Sequence, residues 1–135
     1  MRRTLHGVAG GLLTIVIGLS VSTHPALAQQ EQTVEGEIVD PGMYLREGRH
    51  GADLLDLTYE AVDGGQSLAV LDRDGALYLL IAEEPGEDPN ELVYDYVNQL
   101  VRIKGHVYER SGMRGLVAAS VEPVNPPAVS DASTP

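Results

Sequence analysis

Short apolar runs separated by glycine- and proline-rich breaks indicate a chain of short strands and helices. Residues 33–40, TVEGEIVD, alternate and are β-branched, which predicts a strand that ends in a turn at Asp-Pro-Gly, 40–42. Two apolar runs surround DRDG within residues 67–82, and two more surround RSGM at 110–113 within residues 100–124. Each pair is typical of a β-hairpin. Because both runs of 67–82 are apolar at nearly every position, we expect these strands to be covered on both faces.

A first helix is predicted over residues 52–62, which end in the glycine stop DGG, 63–65. The residues that helical spacing places on its buried face are Leu54, Leu57, Thr58 and Ala61.

A second helix is predicted over residues 88–100. Asp88 can cap its first turn, Pro89 suits the first helical position, and Glu91 follows three residues after the cap. The residues predicted to form its buried stripe are Leu92, Val93, Tyr96 and Leu100.

The predicted order is strand, helix, hairpin, helix, hairpin. Five strands with a helix between the third and the fourth are typical of an OB-fold, a small Greek-key barrel. The sequence therefore predicts a mainly β, five-stranded OB-fold-like barrel with two short helices. The helix after the first strand is an addition to that pattern, so an α+β sandwich is the alternative.

Residues 1–28 have the three zones of a secretory signal peptide. Arg2 and Arg3 precede the apolar run 7–21, and Ala-Leu-Ala at 26–28 predicts cleavage after Ala28. The apolar run is shorter than the roughly 20 residues that span a bilayer, so we expect no retained transmembrane anchor. The prediction is a periplasmic or secreted protein, exported by the general secretory route or, given the paired arginines, by the twin-arginine route.

The remaining chain reads as one domain with polar ends. We assign 29–32 to a disordered linker, 33–122 to the OB-fold-like domain and 123–135 to a disordered, proline-rich tail.

Composition limits the possible partners. The chain has a formal net charge of −11, and residues 1–28 contain two of its nine cations and none of its twenty acids, so cleavage would leave −13. An acidic surface repels phosphate, which disfavours generic nucleic-acid binding and anionic lipid. The chain contains no cysteine, so it has no disulfide and no thiolate metal site.

The candidate binding surface comes from residues 101–110, VRIKGHVYER, which carry a basic or aromatic side chain at every second position. Strand geometry turns such positions to one face. The predicted outward residues are Arg102, Lys104, His106, Tyr108 and Arg110. OB-folds bind oligonucleotides and oligosaccharides on strand faces and neighbouring loops. The alternative is a solvated face whose cations balance nearby carboxylates such as Glu109 and Glu122.

No motif indicates catalysis or a metal centre. Residues 72–83 resemble a calcium loop only in Asp72, Asp74 and Glu83, and the glycine is misplaced. The acidic run 83–91 is typical of a solvated loop, and weak calcium binding by its five carboxylates is the alternative. His50 has Asp53 nearby but no nucleophile motif. We therefore predict no enzyme activity, no cofactor and no metal.

Three segments, 36–51, 64–80 and 101–124, give the chain a resemblance to small exported bacterial proteins with an OB-type barrel. That resemblance implies the barrel fold, and in some relatives a Cys-Tyr pair and a His and Cys cluster that point to metal or redox chemistry. Here Met43-Tyr44 stands at the Cys-Tyr position. The residues on the helix face are Leu54, Leu57 and Ala61.

The sequence thus predicts a non-enzymatic exported binding module. Its candidate ligands are an anionic envelope polymer, a nucleotide or a protein segment. Two alternatives stay open: a structural or assembly subunit of an envelope complex, and a degenerate metal-handling protein.

Overall fold

The computed structural model describes residues 31–125, and five strands in this range close into a barrel in the order β1-β2-β3-β5-β4. The strands are β1 Glu31–Val39, β2 Ala69–Asp72, β3 Leu77–Leu80, β4 Leu100–Arg110 and β5 Met113–Pro123. Neighbours pair antiparallel except β3 and β5, which are parallel. The predicted mainly β, OB-fold-like barrel with two short helices is confirmed.

Both predicted β-hairpins form, and both predicted breaks are turns. Gly75 between β2 and β3 has φ of 83°, and Ser111 and Gly112 between β4 and β5 have φ of 54° and 78°. These left-handed values are the ones that short hairpin turns require.

Both α-helices found in residues 31–125 lie between β1 and β2. The turn predicted at Asp-Pro-Gly is wrong, because these residues begin helix α1, Pro41–Glu47. The Asp40 carboxylate accepts from the backbone nitrogens of Gly42 at 2.8 Å and Met43 at 3.2 Å, and Pro41 occupies the first turn. A carboxylate cap followed by proline starts a helix as readily as it makes a turn.

The helix predicted over 52–62 is present as a 3₁₀ turn, Ala52–Leu54, followed by α2, Leu55–Asp63. Of the four residues predicted on its buried face, Leu54 and Thr58 are buried, and the Thr58 hydroxyl donates to the Leu54 carbonyl at 3.1 Å. Ala61 is half-buried and Leu57 is 44% exposed. The helix therefore contacts the barrel with a narrower face than its spacing predicts.

The helix predicted over residues 88–100 is wrong. The segment consists of turns and a single 3₁₀ turn, Tyr94–Tyr96, before β4 begins. Asp88 does accept from the Asn90 nitrogen at 2.9 Å, but the chain then turns to run beside β1. Ile38 donates to the Gln99 carbonyl at 3.1 Å and accepts from the Asn98 nitrogen at 2.8 Å. These bonds to β1 replace the helical ones.

The four residues predicted to form the buried stripe of that helix differ in burial. Val93 is fully buried, Tyr96 is half-buried, and Leu100 belongs to β4. Leu92 is 47% exposed. The connection still closes one side of the core through Val93 and Val97.

The core fills the barrel with aliphatic side chains. Its buried members are Val34, Ile38, Leu68, Val70, Leu80, Val93, Val97, Val101, Ile103 and Leu116. A second cluster outside the wall packs Tyr44 of α1 against buried residues of β1 and β2. This explains why Ala69, Val70 and Leu71 are all buried, as cover on both faces predicts. In β3 only Leu80 is buried.

Glu31 and Gln32, assigned to the linker from sequence, belong to β1. Pro123, assigned to the tail from sequence, belongs to β5. The predicted signal peptide, residues 29–30 and residues 126–135 of the predicted tail lie outside the described residues. No helix between residues 31 and 125 is long and apolar enough to cross a membrane.

Candidate functional site

The candidate surface is the outward face of β4. The predicted alternation holds, because Val101, Ile103 and Gly105 are buried. Val107 is half-buried where the strand passes the end of the core. The outward side chains are exposed except that of His106, which is half-buried. We call the five of them the β4 stripe: Arg102, Lys104, His106, Tyr108 and Arg110.

Gly105 allows β5 to approach β4 closely in the middle of the stripe. A β-carbon at Gly105 would lie 2.1 Å from the Val117 carbonyl oxygen, so any side chain would displace β5. The β4–β5 register shifts at this point, because Lys104 faces Ser120 while Gly105 faces Ala118. Ala119 is thus the extra residue of a β-bulge, a feature that increases local twist.

Arg102 is neutralised by its neighbours. Its Nη2 lies 3.0 Å from Glu35 Oε2 on β1, and the other oxygen of Glu35 lies 2.6 Å from Nη2 of Arg73 in the β2–β3 turn. On its other side Arg102 faces Glu122 of β5 in register. Arg102 therefore fits the alternative interpretation, a strand cation balanced by carboxylates.

The other cations of the β4 stripe have different surroundings. Lys104 faces Thr33 on β1 and Ser120 on β5, and Arg110 faces Met113. Within residues 31–125, neither Lys104 nor Arg110 has a carboxylate oxygen within 4 Å. In the described part of this strongly acidic protein, no carboxylate thus pairs with either of these two cations, which we call uncompensated.

Two of the five residues of the β4 stripe, Tyr108 and Arg110, border a groove at the end of the β4–β5 hairpin. This groove, which we call the hairpin groove, has a volume of about 510 Å³. Tyr108 is 38% exposed and Met113 is 68% exposed. Its lining residues are Leu79, Ile81, Tyr108, Glu109, Arg110, Ser111, Met113, Arg114 and Gly115.

The positive side of the hairpin groove is partly internally paired. Arg114 Nε lies 3.2 Å from Glu109 Oε2, and the Arg114 guanidinium stands over the Tyr78 ring, 5.7 Å from its centroid. Glu109 therefore pairs with Arg114. The alternative interpretation from sequence pairs Glu109 with the cations of the β4 stripe instead. Arg110 is the uncompensated charge at the groove.

His50 is paired with a residue that the sequence does not indicate. Its Nδ1 lies 2.7 Å from Glu37 Oε2 on β1, not against Asp53. The other Glu37 oxygen accepts from the Gly51 nitrogen at 2.6 Å and from Asn98 Nδ2 at 3.4 Å. Asn98 Oδ1 is buried and has no hydrogen-bond partner among residues 31–125. The pair holds the loop after α1 against β1.

Among the described residues, the crevice on the inner side of this pair is too small for a substrate, whereas the His50 side chain is 46% exposed on its outer side. The adjoining crevice, lined by His50, Asn98, Met43 and Asp40 among others, measures about 140 Å³ in total and has no room for a water molecule. The pair fits a structural role in loop anchoring.

The carboxylates that the sequence offers for calcium either form other hydrogen bonds or lie apart from one another. Asp72 Oδ1 accepts from the backbone nitrogens of Asp74 at 2.9 Å and Ala76 at 2.8 Å, so it shapes the β2–β3 turn. In the part of the chain that the structure describes, no three His, Asp or Glu side chains are grouped to hold a metal ion.

Comparisons with protein-family models, with curated proteins and with solved structures found no match.

Proposed function

We propose that this protein is a non-enzymatic, exported OB-fold-like binding module that holds an anionic ligand on the β4 stripe. Lys104 and Arg110 supply the charge, and Tyr108 between them supplies an aromatic surface. Arg102 contributes less, because Glu35 already occupies its guanidinium.

One observation carries this proposal. Two exposed cations without a carboxylate partner in the described chain flank an exposed tyrosine, on a protein of net charge −11. Two cations on one strand face that have no carboxylate within 4 Å in the described chain leave local positive charge, which favours an anion from outside.

The hairpin groove supports a ligand with an apolar or planar part beside its anionic group. Tyr108 and Met113 expose apolar surface there, next to Arg110. An envelope polymer, a nucleotide or an acidic protein segment meets this description. The acidity of the whole molecule continues to disfavour generic nucleic acid.

The test is a pull-down with residues 29–135, which contain the whole described barrel, from periplasmic extract at low and at high salt. We expect a ligand that binds at low salt and is released at high salt. Replacing Arg102, Lys104 and Arg110 together by serine should abolish this retention. Equal retention by the triple variant would contradict the proposal.

The second candidate function is an assembly subunit that docks on an envelope complex through its acidic side and its tail. It is favoured by the loop 83–91, whose carboxylates are all exposed. A partner that survives the triple variant but is lost when residues 84–91 are neutralised would support this candidate. The third candidate, a degenerate metal-handling protein, follows from resemblance alone, and native mass spectrometry of the purified chain tests it through retained metal.

A further inference from the structure

β5 has an edge that β3 covers only at one end. The two strands pair at Leu79 with Gly115 and at Leu80 with Leu116, and Ile81 then donates to the Leu116 carbonyl at 3.1 Å. Across residues 31–125, no backbone hydrogen bond joins 117–122 to any segment other than β4. Within the described chain, the second half of β5 therefore has a free backbone edge.

The free edge faces a defined direction. The Leu116 carbonyl points toward β3, because it accepts from Ile81. Backbone groups repeat every second residue along a strand, so those of Ala118 point to the same side, beyond the place where β3 ends. Ala118 is half-buried and Ala119 is exposed.

A groove runs along this edge, between β5 and the connection from β3 to β4. We call it the edge groove, and its volume is about 560 Å³. Its apolar lining includes Ile81, Leu92 and Val117, with Leu92 47% exposed. The acidic residues that line it are Glu83, Glu87, Asp88 and Glu91.

We propose that the edge groove binds an extended, basic segment of a partner protein as an added β-strand. The backbone of the segment would bond to the free edge at Ala118, and alternate apolar side chains would contact Ile81, Leu92 and Val117. Lysine or arginine side chains between them would face the acidic lining.

Charge distinguishes this occupant from the nearest alternatives. A second copy of the chain brings net charge −11 to an acidic groove. The chain's own segment 126–135, PPAVSDASTP, contains an aspartate and no lysine or arginine. A basic partner segment complements the groove, and these two do not.

This inference goes beyond the anionic-ligand function, because no residue of the β4 stripe lines the edge groove. It gives the assembly candidate, on which it rests, a specific site and a class of partner. An envelope partner that depends on residues 84–91 but leaves the Ala118 amide unaffected would keep that candidate and reject the edge groove.

The test uses a seven-residue peptide of alternating lysine and valine and ¹⁵N-labelled protein, residues 29–135, observed by NMR. We expect the peptide to shift the Ala118 amide signal and to slow its hydrogen exchange. The same peptide N-methylated at alternate residues should not bind, because it cannot complete the strand ladder. Equal binding of the methylated peptide, or an unaffected Ala118 amide, would overturn the proposal.

Charge variants give a second readout that does not depend on the strand edge. Glu83→Gln with Glu91→Gln should weaken peptide binding by about three- to tenfold. The matched control, Asp56→Asn with Glu60→Gln on the exposed face of α2, should leave affinity within about twofold. Equal weakening by both pairs would reduce the interaction to general acidity and overturn the proposal.

The free protein supplies the last control. The Ala118 amide of the free protein could already be protected from hydrogen exchange. Protection that is independent of protein concentration would assign the edge to the chain's own segment, and protection that rises with concentration would assign it to a second copy. Either result would overturn a basic partner. Lys104→Ser with Arg110→Ser should bind the peptide as the wild type does.

Discussion

Glu35 and Arg102 face each other on the adjacent strands β1 and β4, with 3.0 Å between Glu35 Oε2 and Arg102 Nη2. Because Glu35 also holds Arg73 at 2.6 Å, it joins three segments of the barrel wall. The predicted β4 stripe therefore divides into a balanced end at Arg102 and an uncompensated end at Lys104 and Arg110.

We expect Arg102→Ser to lower the free energy of unfolding by about 0.5 kcal/mol, the usual contribution of an exposed ion pair. Ligand retention should stay near that of the wild type, since the charge of Arg102 is already compensated. Urea unfolding and the pull-down together check this. A large loss of retention with unchanged stability would instead place Arg102 in the binding surface.

Gly105→Ala should lower the free energy of unfolding by about 2 kcal/mol or more, because its β-carbon would overlap the backbone of β5. The control is Gly64→Ala, whose β-carbon would be 3.4 Å from the nearest atoms, and it should change stability by less than about 0.5 kcal/mol. Similar denaturation midpoints for both variants would show that β4 and β5 are not so closely packed.

Asn90 anchors the connection between β3 and β4. It is buried, its Oδ1 accepts from the Leu68 nitrogen at 2.9 Å, and its Nδ2 donates to the Gln66 carbonyl at 3.1 Å. Asn90→Ala leaves the Leu68 N–H without a partner, so we expect a loss of about 2 kcal/mol in chemical denaturation. Gln99→Ala, which removes a bond made at the exposed surface, is the control and should cost less than about 0.5 kcal/mol. Equal losses would contradict the anchoring role.

Tyr94 gives the barrel a dependence on alkaline pH. Partial burial, and then the Asp63 carboxylate 3.3 Å from its hydroxyl, raise the pKa of Tyr94 above the ordinary 10.0. A tyrosine whose pKa is higher in the folded than in the unfolded state contributes stability that is fully present below pH 10. This stabilisation is lost as the pH rises through the folded-state pKa. Unfolding free energy should therefore fall above pH 10, and fall less steeply in Tyr94→Phe. Identical slopes in urea titrations across this range would contradict the assignment.

The hairpins could be predicted from sequence because their signals are local. Asp74-Gly75 and Ser111-Gly112 tolerate the positive φ that their turns need, and the apolar runs flank them directly. The helix at 88–100 has equally good local signals, yet it does not form. Asn98 donates to the Ile38 carbonyl and Ile38 donates to the Gln99 carbonyl; these bonds connect positions about 60 residues apart, and no short-range pattern encodes them.

The same limit applies to the candidate site. Alternation along β4 correctly predicts which side chains face outward, since it depends on one strand alone. Which cations are balanced depends on the β1–β4 register, and Glu35 and Arg102 are 67 residues apart. Glu109, adjacent in sequence, instead pairs with Arg114 across the hairpin. The edge groove likewise depends on where β3 ends beside β5.

The most direct test of the anionic-ligand function compares two double variants in the pull-down, each losing two positive charges. Lys104→Ser with Arg110→Ser removes the uncompensated end of the β4 stripe, and Arg46→Ser with Arg49→Ser removes two exposed cations near α1. The bound ligand is measured as salt is raised. We predict that the control and the wild type release it at the same salt concentration, and that the stripe variant fails to retain it at low salt. Equal retention by both variants, or no retained ligand with any protein, would contradict the account.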